Sequence, residues 1–243
     1  MLASSSAVTS QPALLKGFPH DFGKDVTAVT TLVQGRTAAV VNASSPYRTI
    51  DDLVAYMKAN PGKVNVGVTS SIDVFQVSVF GRATGTVFEQ VRYPSELQAQ
   101  SALIAGGIHV ILGAGIPLAK PHVDAGKLRF ISVNGSERDR LIPQVPAVAE
   151  SPSPQVRELA KSVLYAPFWL GIMVSSKVPK EAVNTLYAAT REVMKDSEIV
   201  QRMQALGLEV VPNPPPPEQA TAAFINGAAE FSRVAKDAGV QPQ

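Results

Sequence analysis

A chain of 243 residues, 45% hydrophobic and 17% charged, carries enough apolar surface to bury a core in one large domain or two smaller ones, which excludes global disorder. Its 22 basic and 20 acidic residues leave a formal net charge of +2 and form no long runs, so the sequence builds no concentrated basic face of the kind that binds nucleic acid. Cysteine is absent, which removes disulfides, thiolate metal sites and a cysteine nucleophile and fits an oxidising compartment as well as the cytosol.

Met1-Leu2-Ala3-Ser4-Ser5-Ser6 lacks the basic segment and following apolar stretch of an export signal. No stretch approaches the ~20 uninterrupted apolar residues needed to cross a bilayer, so membrane insertion is not expected. Residues 1–36 are weakly patterned, broken by Pro12 and Pro19, with a short helix expected around Ala13–Lys16. Thr37–Asn42 reads as a buried strand ended by Ala43-Ser44-Ser45-Pro46. Thr49 and Asp52 then form a capping box ahead of Ile50, Leu53, Val54 and Met57 at one-faced helical spacing, and the helix stops at Asn60-Pro61-Gly62.

The strand Val64–Val68 runs into the hydroxyl-rich turn Thr69-Ser70-Ser71 and a helix from Asp73 with Val74, Val77 and Phe80 on one face. A second strand, Val87–Tyr93, leads through Pro94-Ser95-Glu96 into a helix stopped by Gly106-Gly107. A third, Ile108–Leu112, runs into Gly113-Ala114-Gly115, with Pro117 in the first turn of the following helix, and Leu128–Val133 is a fourth. Strands alternating with helices in this way predict a parallel, three-layer α/β sheet. Ligands of such sheets bind at the carboxyl ends of the strands, so the turns Thr69–Ser71, Tyr93–Ser95 and Gly113–Gly115 are expected along one edge.

After a proline-rich passage over 135–165, Phe168–Val174 resumes as a strand. Pro179 opens a helix with Val183, Leu186, Tyr187, Thr190 and Met194 on one face, and Ser197 opens a shorter one. A short strand at Leu208–Val211 precedes Pro212-Asn213-Pro214-Pro215-Pro216-Pro217, read as a stiff spacer, and a terminal helix closes near Gly239. The organisation is two-domain: residues 1–42 and 128–243 form a discontinuous domain I and residues 43–127 an inserted domain II. The extended segments 37–42 and 128–133 cross between them as hinge strands, and the ligand is expected between the domains.

His20, His109 and His122 show no metal-ligand spacing, and His109, on an expected central strand, reads as a satisfied core histidine. There is no GxSxG elbow, P-loop or GxGxxG, so no cofactor is expected. Asp51 and Asp52 cap a helix, Glu137 to Arg140 form a solvated charge cluster, and Trp169 reads as a core aromatic, with a cleft-lining position as the alternative. What remains is a set of small polar and glycine-bearing turns without a nucleophile, base or metal, which is the profile of a binding protein. Serine and threonine ahead of a helix are ordinarily plain N-caps. Backbone N–H groups with hydroxyls beside them also hold carboxylates, with Arg92 as a candidate counter-charge.

Several stretches resemble one family in order along the chain. They are Lys24–Thr30 ahead of Val40-Val41-Asn42; Thr49–Leu53 through Ala59-Asn60-Pro61-Gly62-Lys63-Val64-Asn65; Ala125-Gly126-Lys127-Leu128-Arg129; Val145-Pro146-Ala147-Val148-Ala149-Glu150; Trp169-Leu170-Gly171; and Ala205-Leu206-Gly207-Leu208-Glu209. The chain resembles the solute receptors of tripartite tricarboxylate transporters, the Bug family of periplasmic binding proteins. The resemblance implies a two-domain type II periplasmic-binding-protein fold, with parallel-sheet domains joined by hinge strands. It also implies capture of a small carboxylate (a dicarboxylate, amino acid or aromatic acid) for membrane permease subunits, in the periplasm and without enzymatic activity. By position, the family's ligand loops correspond to Ser4-Ser5-Ser6, Thr69-Ser70-Ser71 and Gly113-Ala114.

Family members begin with an export signal, a first strand and a glycine-rich ligand loop, so the first domain is expected to be incomplete and the chain N-terminally truncated, cytoplasmic if this is the whole product. The turn at Thr69–Ser71 is shorter than the family's, and Gly113-Ala114 replaces an Asp-Asn pair. The competing readings are a nonfunctional remnant of such a receptor, the effector domain of a transcription regulator of the same fold, and an enzyme on an α/β scaffold.

Overall fold

The computed structural model describes residues 1–10, 16–18, 21–22 and 24–237. Ala13 to Leu15 of the expected short helix, His20 and the stop near Gly239 lie outside these residues. The chain forms two compact units, Met1–Gly35 with Phe168–Gln243, and Arg36–Pro167. The boundaries therefore fall at 35/36 and 167/168, where the sequence suggested 42/43 and 127/128. The reason is the sheet: the segments expected to cross between domains are strands of the second unit.

That second unit holds β3 (Thr37–Asn42), α2 (Ile50–Ala59), β4 (Asn65–Val68), α3 (Ser71–Thr84), β5 (Glu89–Arg92), α4 (Glu96–Ile104), β6 (Val110–Gly115), α5 (Ile116–Asp124), β7 (Leu128–Val133) and α6 (Pro154–Leu159). Its five-stranded sheet has the order β5-β4-β6-β3-β7. β4 is parallel to both β5 and β6, whereas β3 runs antiparallel to β6 and β7. The sheet is thus mixed, not wholly parallel, because the chain enters it at β3 against the direction of its neighbours.

Strands covered on both faces must be apolar throughout. Val66, Val68, Ala38 to Val41, Val110 to Leu112 and Phe130 to Val133, with Ser132 among them, are all buried. Helix α2 starts where Thr49 Oγ1 accepts the Asp52 N–H and Asp52 Oδ2 accepts the Thr49 N–H, and it buries Ile50, Leu53, Val54 and Met57 as its spacing predicts. Helix α3 is rotated slightly from expectation. Phe75, Gln76, Val77 and Phe80 are buried, while Val74 is half-exposed.

The first unit contains β1 (Leu2–Ser4), α1 (Ser5–Thr9), β2 (Val26–Gly35), β8 (Phe168–Ser175), α7 (Lys180–Val193), α8 (Ser197–Ala205), β9 (Glu209–Val210) and α9 (Pro217–Asp237). Its sheet, β1-β8-β2-β9, is antiparallel at each pairing, where a parallel sheet was expected. The ten-residue β2 was not foreseen, although six of the eight residues Val26–Val33 are β-branched, which is itself a strand signal.

Helix α9 packs Ala220, Phe224, Phe231 and Ala235 inward, and Trp169 of β8 stacks on Phe224 at a centroid distance of 3.9 Å and 8°. The proline run is pinned: the Pro214 carbonyl accepts the Tyr187 hydroxyl proton at 3.0 Å, and the Pro215 carbonyl accepts that of Thr30 at 2.8 Å. It is therefore a strap along the sheet and not a free spacer.

Gly171 in β8 shows how tight this sheet is. A Cβ there would lie 2.6 Å from the Thr30 carbonyl oxygen, a backbone atom that cannot move aside alone. Gly171→Ala should lower stability by about 1–3 kcal/mol in urea denaturation. Gly62→Ala, a control at a positive φ with open space around it, should cost about 1 kcal/mol from its backbone conformation alone.

Candidate functional site

In the second unit β4, β5 and β6 run parallel, so their carboxyl ends at Val68, Arg92 and Gly115 share one edge of the sheet. The turn Thr69-Ser70-Ser71 after β4 is, first of all, a helix cap. Ser70 Oγ accepts the Asp73 N–H at 3.2 Å, and Asp73 Oδ2 accepts the Thr69 N–H and hydroxyl at 2.8 Å each and the Ser70 N–H at 2.9 Å. The donors foreseen for a ligand at Thr69 and Ser70 are thus engaged by the chain's own carboxylate. Ser70 and Ser71 are exposed.

Gly113 and Ala114 are not in a turn. They belong to β6, with Ala114 buried opposite Ala38, and the helix cap falls two residues later than Gly113, at Gly115. The tertiary structure sets Gly113 against the side chains of α3. A Cβ at Gly113 would lie 2.5 Å from Gln76 Oε1 and 3.5 Å from Asp73 Oδ1, so the buried Gln76 side chain would have to shift to admit one.

Glu96 was read from the sequence only as part of a helix start. It follows the N-cap Ser95, and its Oε1 accepts the Gly115 N–H at 2.7 Å and an Nε2 proton of the buried Gln100 at 2.9 Å. Burial pushes its carboxyl above the ordinary value, the two hydrogen bonds oppose that, and the Asp73 charge adds to it. The sequence signal was Pro-Ser-Glu directly after a strand, which looks the same for any capped helix.

Elsewhere the satisfied-histidine reading of His109 holds, whereas the cluster Glu137 to Arg140, expected to be solvated, includes a buried member. His109 sits at the opposite end of β6, where its Nδ1 accepts the Asn65 N–H at 2.9 Å. Glu137 pairs with Arg36 at 2.8 Å and Arg138 with Glu150 at 2.7 Å, while Asp139 is buried and accepts the Leu141 N–H. Among the described residues no group of three or more His, Asp and Glu is placed to hold a metal ion, and no helix is long and apolar enough to cross a membrane.

In the first unit, Ser4 caps α1: its Oγ accepts the Ala7 N–H at 3.4 Å and lies 2.9 Å from Ser6 Oγ. Ser5 Oγ accepts the Trp169 N–H at 3.4 Å. Ala3 and Ala7, flanking these serines, line a cavity of about 670 Å³ with Phe18, Phe22 and Met173.

The family model described as "Tripartite tricarboxylate transporter family receptor" matches residues 1–237. The chain belongs to this receptor family. A relative in Bordetella bronchiseptica, described as a UPF0065 protein, is 25% identical over the whole chain and 69% of its own length. The UPF0065 protein in the gbd 5' region of Cupriavidus necator is 33% identical over 52% of the chain, a match that spans only 39% of that relative.

Among solved structures, Rpa4515 of R. palustris with adipate superposes with a TM-score of 0.81 at 20% identity, covering 100% of this chain and 78% of that one. MatC of Rhodopseudomonas palustris with bound malate gives 0.73 at 20% identity, covering 96% and 77%. The fold is accordingly that of the two-domain periplasmic binding proteins, and the family is one of receptors and not enzymes.

The Glu96 environment has a pH signature. Its pKa is higher in the folded chain than in the unfolded one, so stability falls as pH rises from the ordinary glutamate value through the raised one. Glu96→Gln keeps an acceptor for the Gly115 N–H and removes the charge. It should melt above the wild type at neutral and alkaline pH, with the advantage vanishing below the ordinary glutamate range, as read by calorimetry across pH.

Proposed function

We propose that this chain is an extracytoplasmic solute receptor that captures a small carboxylate and delivers it to the membrane permease subunits of a tripartite transporter, working in the periplasm. The observation that carries this reading is the family match over residues 1–237. Structural neighbours solved with adipate and with malate support a small organic acid as the ligand.

The residues assigned to contact are Ser4, Ser5 and Ser6 in the first unit. In the second they are Thr69, Ser70 and Ser71, with Gly113 and Ala114. Of these, the exposed hydroxyls of Ser70 and Ser71 offer directional hydrogen bonds to a carboxylate without a metal or a cofactor.

Thermal denaturation of the full chain against a panel of dicarboxylates, amino acids and aromatic acids tests the reading. At 100-fold excess over its Kd, a ligand stabilises the folded state by about 2.7 kcal/mol, so a member of the panel should raise the melting temperature in a concentration-dependent way. Chemical conversion of any panel member by the purified chain would overturn it.

A further inference from the structure

A cavity of about 830 Å³ opens in the first unit between the segment after β8, α7 and the start of α9, and none of the residues assigned above to ligand contact lines it. Its wall is largely apolar, built from Val178, Val183, Pro216, Ala222 and Ile225. Val183 is buried, whereas Ile225 is exposed. The wall is also fixed from behind: Thr221 Oγ1 accepts the Ala28 N–H at 3.0 Å and donates to the Pro217 carbonyl at 2.8 Å, which ties α9 to β2.

Two opposite charges line the same cavity. Lys180 Nζ donates to Glu218 Oε1 at 2.7 Å, joining the first turns of α7 and α9. With the two side chains 78% and 80% exposed, the pair contributes little to stability, so a ligand that exchanges with it displaces little. The Thr27 hydroxyl and the Asn184 amide, also in the lining, meet no protein partner among the described residues and are open to a ligand.

We propose that this cavity is a second binding site and takes a free α-amino acid with an apolar side chain, its carboxylate on Lys180, its ammonium on Glu218 and its side chain against Val178, Val183 and Ile225. An anion drawn to Lys180 meets the Glu218 carboxylate beside it, and a cation drawn to Glu218 meets the Lys180 ammonium, so a single charge is repelled as well as attracted. An α-amino acid carries both charges one carbon apart and satisfies the two together. A longer peptide, with its termini far apart, does not. Apolar walls with a few convergent polar groups are the usual make-up of a small-molecule site. The site lies apart from the one assigned to the transported acid, and the inference does not depend on that reading.

Methyl NMR of the full chain, labelled at isoleucine and valine and titrated with phenylalanine, 3-phenylpropanoate and 2-phenylethylamine, tests it. Phenylalanine should shift the Val183 and Ile225 methyls saturably and bind at least tenfold more tightly than either analogue, each of which lacks one of its charges. Glu218→Gln should weaken phenylalanine at least tenfold and strengthen 3-phenylpropanoate. Ile225→Trp, at an exposed position, should fill the cavity and abolish the shift at Val183, with melting curves verifying that both variants are folded.

Equal affinity for the three compounds, or phenylalanine binding that neither substitution alters, overturns the inference. Phenylalanine binding that moves only methyls outside the cavity overturns it and leaves the receptor reading standing. Absence of any methyl shift overturns it as well.

Discussion

Burial of β4, β6 and β3 on both faces is the constraint from which the second unit follows. Such strands satisfy their backbone polar groups only in the ladder, and their side chains have to be apolar at successive positions. Polar chemistry is thereby driven to the strand ends, where the chain leaves the ladder and helices begin. The parallel run of β5, β4 and β6 gathers three of those ends on one edge. The edge collects amide donors, and something acidic has to answer them.

In this chain the answer is internal. Asp73 closes the turn after β4, and Glu96 ties the N-terminus of α4 to the start of α5. Both arrangements are favoured locally, since a carboxylate at a helix N-terminus meets oriented N–H groups. They are less favourable together, because burial and the Asp73 charge both raise the Glu96 pKa. Gly113 is packed as closely, since a Cβ there would lie 2.5 Å from Gln76 Oε1.

The first unit is organised by contacts distant in sequence. β1 and β2 pair with β8, more than half the chain away, and the proline strap is held by hydroxyls of Thr30 and Tyr187. Local pattern carries little of this. The β-branched run from Val26 was visible, but an antiparallel partner so far along the chain was not. The short β1 was hidden further, because Leu2-Ala3-Ser4 has no periodicity to read and becomes a strand only through its register with Leu170–Ile172.

The sequence by itself determined the elements whose cause is local: the Thr49–Asp52 box and apolar face of α2, the buried strands β3, β4 and β7, the glycine stops, and the ordered motifs that place the chain in its receptor family. Capping and helical periodicity act within about four residues, so they are written into short windows. Only the tertiary structure decided the direction of β3, the antiparallel sheet of the first unit and the boundary at Arg36. Only it, too, decided that Gly113 lies against Gln76 and Asp73 and that Glu96 accepts the Gly115 N–H. Those outcomes depend on which strand pairs with which, and pairing energy comes from neighbours that no local window contains. The turn at Thr69–Ser71 shows both sides: its cap was legible from Ser70 and Asp73, whereas the approach of Gly113 to Asp73 and Gln76 exists only because β6 lies beside β4.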